Sequence, residues 1–363
     1  MILTEEITKT DQKNIEYTQA HRHLNLDLMR CIGILIILIA HAEPPAWLFQ
    51  LRNFGTPLLI VASALTYSQI YSNIKIHVGE FYNKRLTKLI IPTWIFLTLF
   101  FLSIYIFNYS ESYKINFPFI FQSFLLFGGK VPYLYILKVY FFLALITPLM
   151  FLFKSSFSMK SYYFMIFVAY CFYELLTAFC AYLLNDQTIS ILNNNVFVFI
   201  AYAIIYLYGL RLNEINHKTI LIITFISIIS FLALASYKYY NAGHFIQTQT
   251  SKNPPHIYYL SYAFFGLNVI YLICTRYITH IAPKSAIIWL SSNSLWFYLW
   301  HIMGIEIYKS FNYSFSNQLL SSMVMLTFII VFALCVTLLQ KKLVEVFLVN
   351  NKHKTLKIIG NYL

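Results

Sequence analysis

An all-α, polytopic membrane bundle of about ten spanning helices is what this sequence predicts, and three observations predict it. Apolar runs continue for about 20 residues, the length that crosses a bilayer as a helix. Only 11% of the 363 residues are charged, while 59% are hydrophobic. A water-soluble domain carries about 25% charge, so this chain cannot clothe a surface that faces water on all sides. The basic residues punctuate the ends of the apolar runs, as membrane topology requires. A β-barrel would instead alternate in polarity over segments of about 10 residues.

The runs fall near residues 25–43, 54–72, 89–108, 133–153, 161–184, 196–212, 219–240, 256–277, 286–308 and 319–348. A shorter run near 117–127, bounded by Pro and Gly-Gly, suits an interfacial or re-entrant piece. The last run exceeds what a bilayer needs, so its end, KKLVEVFLVNNKHK, is expected to emerge as an amphipathic stretch. Residues 1–23 read as a polar cytoplasmic tail, 24–348 as one membrane domain and 349–363 as a second cytoplasmic tail. The start has no basic segment followed by a short apolar one and a small-residue cleavage site, so the first run is expected to be a retained helix. With the N-terminus inside, Lys84, Arg85, Lys88, Lys154, Arg211, Lys341 and Lys342 face the cytoplasm, against Arg52, Lys238, Lys252 and Lys309 outside. That positive-inside bias places both termini in the cytoplasm. Asn108-Tyr-Ser and Asn312-Tyr-Ser read as glycosylation sequons against helix ends, relevant only in a eukaryotic secretory setting.

The net charge of +13 invites a nucleic-acid partner, but the basic residues gather on no single soluble face, and none is expected. All five cysteines lie in apolar runs without metal-ligand spacing and read as small hydrophobes, so no metal is expected. The aromatic share of 19% suits residues that line membrane interfaces. Membrane lipids surround such a chain, and a homo-oligomer is compatible with it.

Chemistry concentrates first in LMRCIGILIILIAH, which carries Arg30 and His41 at its two ends. Eleven helical steps return to nearly the same face about 16 Å along the axis. An ionisable residue at membrane depth costs at least about 2.5–3.5 kcal/mol and by default marks function. Asp27 lies three residues before Arg30, within reach of an intrahelical ion pair. Singly, each has a plainer reading: Asp27 and Arg30 snorkel to the inner interface, and His41 sits at the outer one. Together they describe a polar stripe across the membrane. An imidazole can take a proton from a hydroxyl and return it to a leaving group, and a guanidinium binds phosphate bidentately. Those are the tools for acyl transfer from a phosphate-bearing thioester.

A second cluster, FYNKRLTKLIIP, holds Lys84, Arg85 and Lys88. It reads either as inner-face anchoring or as a phosphate-binding patch for an anionic cytoplasmic cofactor. A third segment, NSLWFYLWHIMGIEIY, holds His301 and Glu306. His301 is either hydrogen-bonded to a neighbouring helix or part of a cavity wall; Glu306 is expected nearer the outer surface. Glu174, deep in the fifth run, reads as structurally paired. GxSxG, HExxH, P-loop and GxGxxG motifs are absent, which removes the usual support for hydrolase, zinc-protease and nucleotide-triphosphatase readings.

LNLDLMRCIGILIILIAH, FGTPLLIVASALTY, FYNKRLTKLIIPTW, VYFFLALITPLMF, NSLWFYLWH and KKLVEVF occur in this order over about residues 24–348. Together they resemble the acyltransferase-3 family of bacterial multipass membrane O-acyltransferases of surface glycans. The arginine with a histidine eleven positions later is the most specific element. Lys88 stands where the family has a second arginine, keeping the charge but losing bidentate geometry, and Ala64 stands where a glycine follows the serine. The esterase-type extension of some members is not expected here. The resemblance implies a cytoplasmic acyl-CoA donor, acetyl-CoA ahead of succinyl-CoA, with succinyl-CoA kept open because the FGTP piece also looks like a polysaccharide succinyltransferase branch. It implies an acceptor hydroxyl on a surface polysaccharide or its lipid-linked oligosaccharide precursor, in the bacterial cytoplasmic (inner) membrane. His41 would be base or transient acyl carrier, with Arg30 and its partner Asp27 along the donor path. Arg85, Lys88 and Lys84 would hold coenzyme A phosphates, and Glu43, His301 and Ser63 would meet the acceptor. The main rival is a flippase for lipid-linked sugars, which would use broken helices at corresponding places in two halves. A glycan polymerase is disfavoured because the outer loops are only about a dozen residues long. A bare scaffold would leave Asp27, Arg30, His41 and Arg85 unexplained.

Overall fold

The first apolar run folds as α1 (Leu24–His41), with Leu26, Met29, Gly33, Ile34, Ile37 and Leu38 buried at the three- and four-residue spacing of one helix face. In a computed structural model, residues 24–71, 77–107, 115–126, 131, 133–276, 284–313 and 315–349 are described, without the side chains of 347–349. The tail 1–23, residues 350–363 and the sequon at Asn108 lie outside them.

After α1 come α2 (Ala46–Leu51), α3 (Gly55–Ile70), α4 (Val78–Phe107), the short α5 (Phe117–Phe124) and α6 (Tyr135–Ser156). They are followed by α7 (Met159–Leu183), α8 (Asp186–Leu192), which continues through a π-turn (Asn193–Phe197) into α9 (Val198–Leu210), and α10 (His217–Ala242). α11 (Ile257–Arg276), α12 (Lys284–Ser292), α13 (Ser294–Ser310) and α14 (Gln318–Leu343), extended by a π-helix (Val344–Val349), complete the chain. Local chemistry starts many of these helices. Asn116, Ser158, Asn185, Asn216 and Asn317 each accept a hydrogen bond from a first-turn N–H, satisfying donors the helix itself leaves orphaned. α10 stops at Gly243, whose φ of 72° is the left-handed conformation that closes a helix.

Among the described residues, nine helical stretches are long and apolar enough to cross a membrane. The ninth predicted run, at 286–308, is divided at Asn293 into α12 and α13 and is a broken helix. The second pass is broken too: α2 and α3 form one apolar stretch interrupted at Arg52–Phe54. The predicted interfacial piece is the eight-residue α5. The end of the last run stays helical through Val349.

Helix α1 packs against α3, α11, α12, α13 and α14, so the residues on its faces reach several helices at once. The Ala46–Ile70 stretch is 72% buried and central, whereas the α7 and α10 spans are only 17% buried. Those two expose Phe164, Phe167, Phe172, Phe225 and Ile226, apolar side chains that lipid accommodates and water would not. The central contacts are close. A Cβ on Gly209 of α9 would lie 2.8 Å from the Ala64 Cβ and 3.1 Å from the Val61 backbone of α3. Ala64, the departure from the family pattern, is therefore accommodated by a glycine opposite it.

Candidate active site

His41 closes α1 beside α13, and its Nδ1 lies 2.8 Å from Nε2 of His301, with the two ring planes only 10° apart. His301 is fully buried, and its Nδ1 contacts the carbonyl of Tyr298 one turn earlier. A carbonyl only accepts, so the hydrogen-bond network assigns the proton to His301 Nδ1. Its Nε2 then accepts from His41 Nδ1–H, leaving His41 Nε2 with a free lone pair. The chain of bonds fixes both the tautomer and the ring plane of His41, which is what an orienting partner does for a base.

Tyr133 completes this end. Its ring centroid is 4.2 Å from that of His41, and its carbonyl accepts from the Tyr298 hydroxyl. Tyr133 has φ 70° and Glu43 has φ 53°, strained positions for side-chain-bearing residues of the kind that collect at working sites. Glu43 is exposed and pairs with Lys309 at 2.7 Å. Glu306 is buried within the bundle, in electrostatic range of Tyr133 and Lys309 and so at the same end of α13 as the Glu43–Lys309 pair.

Toward the other end of α1, Arg30 donates from Nη2 to Thr66 Oγ1 of α3 at 2.6 Å and stands 3.7 Å from Asp27. Asp27, buried, accepts from Ser291 Oγ of α12 at 2.6 Å, so that Asp27 and Arg30 together tie α1 to α12 and to α3. Arg85 of α4 reaches in beside it, its guanidinium carbon 4.8 Å above the Tyr67 ring. Tyr67, Tyr140 and Arg85 all lie within electrostatic range of Arg30, and Tyr140 is also in range of Tyr298. Tyr140 is thus within electrostatic range of residues at both ends of α1. Arg30, Tyr140 and His41 each keep some accessible surface at depth, as side chains lining an internal cavity do and close-packed ones do not.

The structure brings Asp27, Arg30 and Arg85 together at one end and His41 and His301 together at the other. It does not bring Lys84 and Lys88 to them: both are exposed on α4 while Arg85, on another face, points inward. Ser63 is buried within α3. Glu174 accepts from Tyr170, from His256 at 2.9 Å and from the Ile257 N–H at 2.7 Å, pinning α7 to α11 as a structural pair. Sequence reasoning missed Thr66, Ser291, Tyr133, Tyr140 and Tyr298 as site residues. The Tyr-x-x-His spacing of Tyr298 and His301, one helical turn, is the signal that could have found one of them. Among the described residues, no cluster of His, Cys, Asp or Glu could hold a metal ion.

The fold and site define a class: a multi-pass helical membrane protein with a hydrogen-bonded imidazole pair and an arginine cluster at opposite ends of one helix. The family model described as "Acyltransferase domain" (acyltransferase-3) matches residues 23–340, and the chain belongs to that family. No curated protein and no solved structure matches it.

Proposed function

We propose that the protein is an O-acyltransferase of the bacterial cytoplasmic membrane. It moves an acyl group, acetyl ahead of succinyl, from cytoplasmic acyl-CoA to a hydroxyl of a surface polysaccharide or its lipid-linked precursor. The observation that carries the reading is the hydrogen bond from His41 to His301, which leaves His41 Nε2 oriented and free to act as base. The acceptor oxygen would give its proton to His41 Nε2 while attacking the thioester carbonyl. Collapse of the tetrahedral intermediate breaks the C–S bond, and the thiolate takes the proton back from His41. Ester and free thiol result, and atoms balance without a covalent acyl-histidine.

At the inner end, Arg30 and Arg85 supply the guanidinium charge that suits the donor's phosphates and path. Lys84 and Lys88, exposed on α4, are placed to attract the anionic donor rather than to hold it at the site. The test is thermal stability of the purified protein. A ligand that binds the native state raises it, so coenzyme A and acetyl-CoA should stabilise the protein, whereas a sugar flippase would not respond. No response at saturating concentrations would overturn the donor assignment.

A further inference from the structure

The steps above use no residue of the α2–α3 turn or of the loop between α10 and α11, yet these two segments bury cations against one another. Arg52 is only 7% exposed, with its guanidinium carbon 3.6 Å above the Phe49 ring and its Nε lacking any hydrogen-bond partner. Lys252 lies within electrostatic range of Arg52, and both lie within range of His41. The described carboxylates near this end are engaged elsewhere: Glu43 pairs with Lys309, Glu174 with His256, and Glu306 faces Tyr133 and Lys309.

The two segments are held in register. Asn53 Nδ2 donates to Thr248 Oγ1 at 2.8 Å, Thr248 N–H donates to Gln50 Oε1 at 2.9 Å, and Tyr262 donates to the Leu51 carbonyl at 2.7 Å. Two buried polar atoms of this frame, Gln50 Nε2 and Asn53 Oδ1, have no hydrogen-bond partner among the described residues. Tyr259 is the residue whose electrostatic contact with Arg52 stands out. Two like charges, Arg52 buried and Lys252 partly buried, with no counter-ion among the described residues, carry both desolvation and repulsion, which an anion between them offsets. A rigid frame means that little ordering is needed on binding.

We propose that Arg52 and Lys252 form a receptor for an oxyanion, a carboxylate or phosphate carried by the molecule that reaches His41. Its source is either an acidic group on the acceptor or the far end of a dicarboxylic acyl chain. The naming of the carrier rests on the acyl-transfer reading; the binding of an anion does not.

The experiment compares thermal stabilisation of the full-length protein by glucuronate, succinate and phosphate with that by glucose, at chloride-matched ionic strength. Wild type should respond to at least one oxyanion and not to glucose. Arg52→Gln and Lys252→Gln should each weaken the response at least about tenfold in apparent affinity, as removing one member of a buried charge pair does. Lys252, less buried, serves if the Arg52 variant fails to fold. Donor preference separates the sources. A carboxylate on the acyl chain makes Lys252→Gln lower succinyl-CoA turnover at least about tenfold against acetyl-CoA, whereas an acidic acceptor makes both donors lose equally. Absence of any oxyanion response in wild type, or an unchanged response in both variants, overturns the proposal. An oxyanion response without a coenzyme A response would keep this site and sink the acyl-transfer reading.

Discussion

His41 Nδ1 donates to His301 Nε2 across 2.8 Å, joining residues that lie 260 positions apart in the chain. On the proposed chemistry, this bond gives His301 a positioning role, exerted through His41 rather than on the substrate. His301→Ala should therefore lower kcat by about 10²–10⁴-fold, the range lost when a general base is misplaced or held in the wrong tautomer. His301→Gln keeps a side chain that can accept from His41 Nδ1 and should recover part of that loss. Equal activity of His301→Ala and wild type in membranes normalised for protein would refute the relay.

Arg85 and Lys88 separate a site role from an anchoring one. Arg85→Gln should weaken stabilisation by coenzyme A about tenfold or more, since a charge-assisted contact is worth about 1.5–3 kcal/mol. Lys88→Gln, on the exposed face, should leave it within about twofold, the range of a surface charge. Equal losses in both variants would return the cluster to a single phosphate-holding patch.

The α3–α9 contact predicts an interaction between substitutions. Gly209→Ala places a methyl 2.8 Å from the Ala64 Cβ and 3.1 Å from the Val61 backbone, overpacking that costs about 1–3 kcal/mol. Ala64→Gly should restore part of it, so the double variant is more stable than the sum of the singles, readable as a double-mutant cycle in detergent. Additive effects would place the two residues out of contact.

Much of this was legible in the sequence, and the limits have physical causes. The helical bundle follows from run length and charge placement, which are local. Arg30 and His41 stand out because helical period puts two expensive residues on one face. His301 could be marked only as an intramembrane histidine, since its partner is set by how α1 and α13 pack, which no local pattern encodes. The break at Asn293 was hidden because a polar residue between two apolar helices leaves the run apolar on average. Arg52 and Lys252 looked like outer-face topology charges; their burial depends on the loop folding back onto the α2–α3 turn. Arg85 and Lys88 shared one motif, and the rotation of α4 decided which pointed inward.

Lys252 supplies a pH dependence. Burial, reinforced by Arg52, holds its ammonium down to about 7 from an ordinary 10.5, with His41 the other titratable group in range. Below that value Lys252 is charged and ready for an anion; above it the free protein must take up a proton to bind one. Affinity for glucuronate or succinate, both ionised throughout, should fall as pH rises from 6 to 8.5, with the change centred near 7. In the absence of ligand the unfolded chain binds more protons between about 7 and 10.5, so Lys252 adds to stability as pH rises through that window. Lys252→Gln should remove its share of both trends, and an identical pH profile in that variant would contradict the assignment.

The measurement that bears most directly on the central claim is the O-acyl content of the host's surface glycan, by mass spectrometry, in cells carrying wild type or His41→Ala. Membrane levels of the two proteins should be matched by immunoblot. O-acyl groups should disappear in the His41→Ala strain while the protein remains inserted. O-acylation undiminished in that strain would contradict the claim.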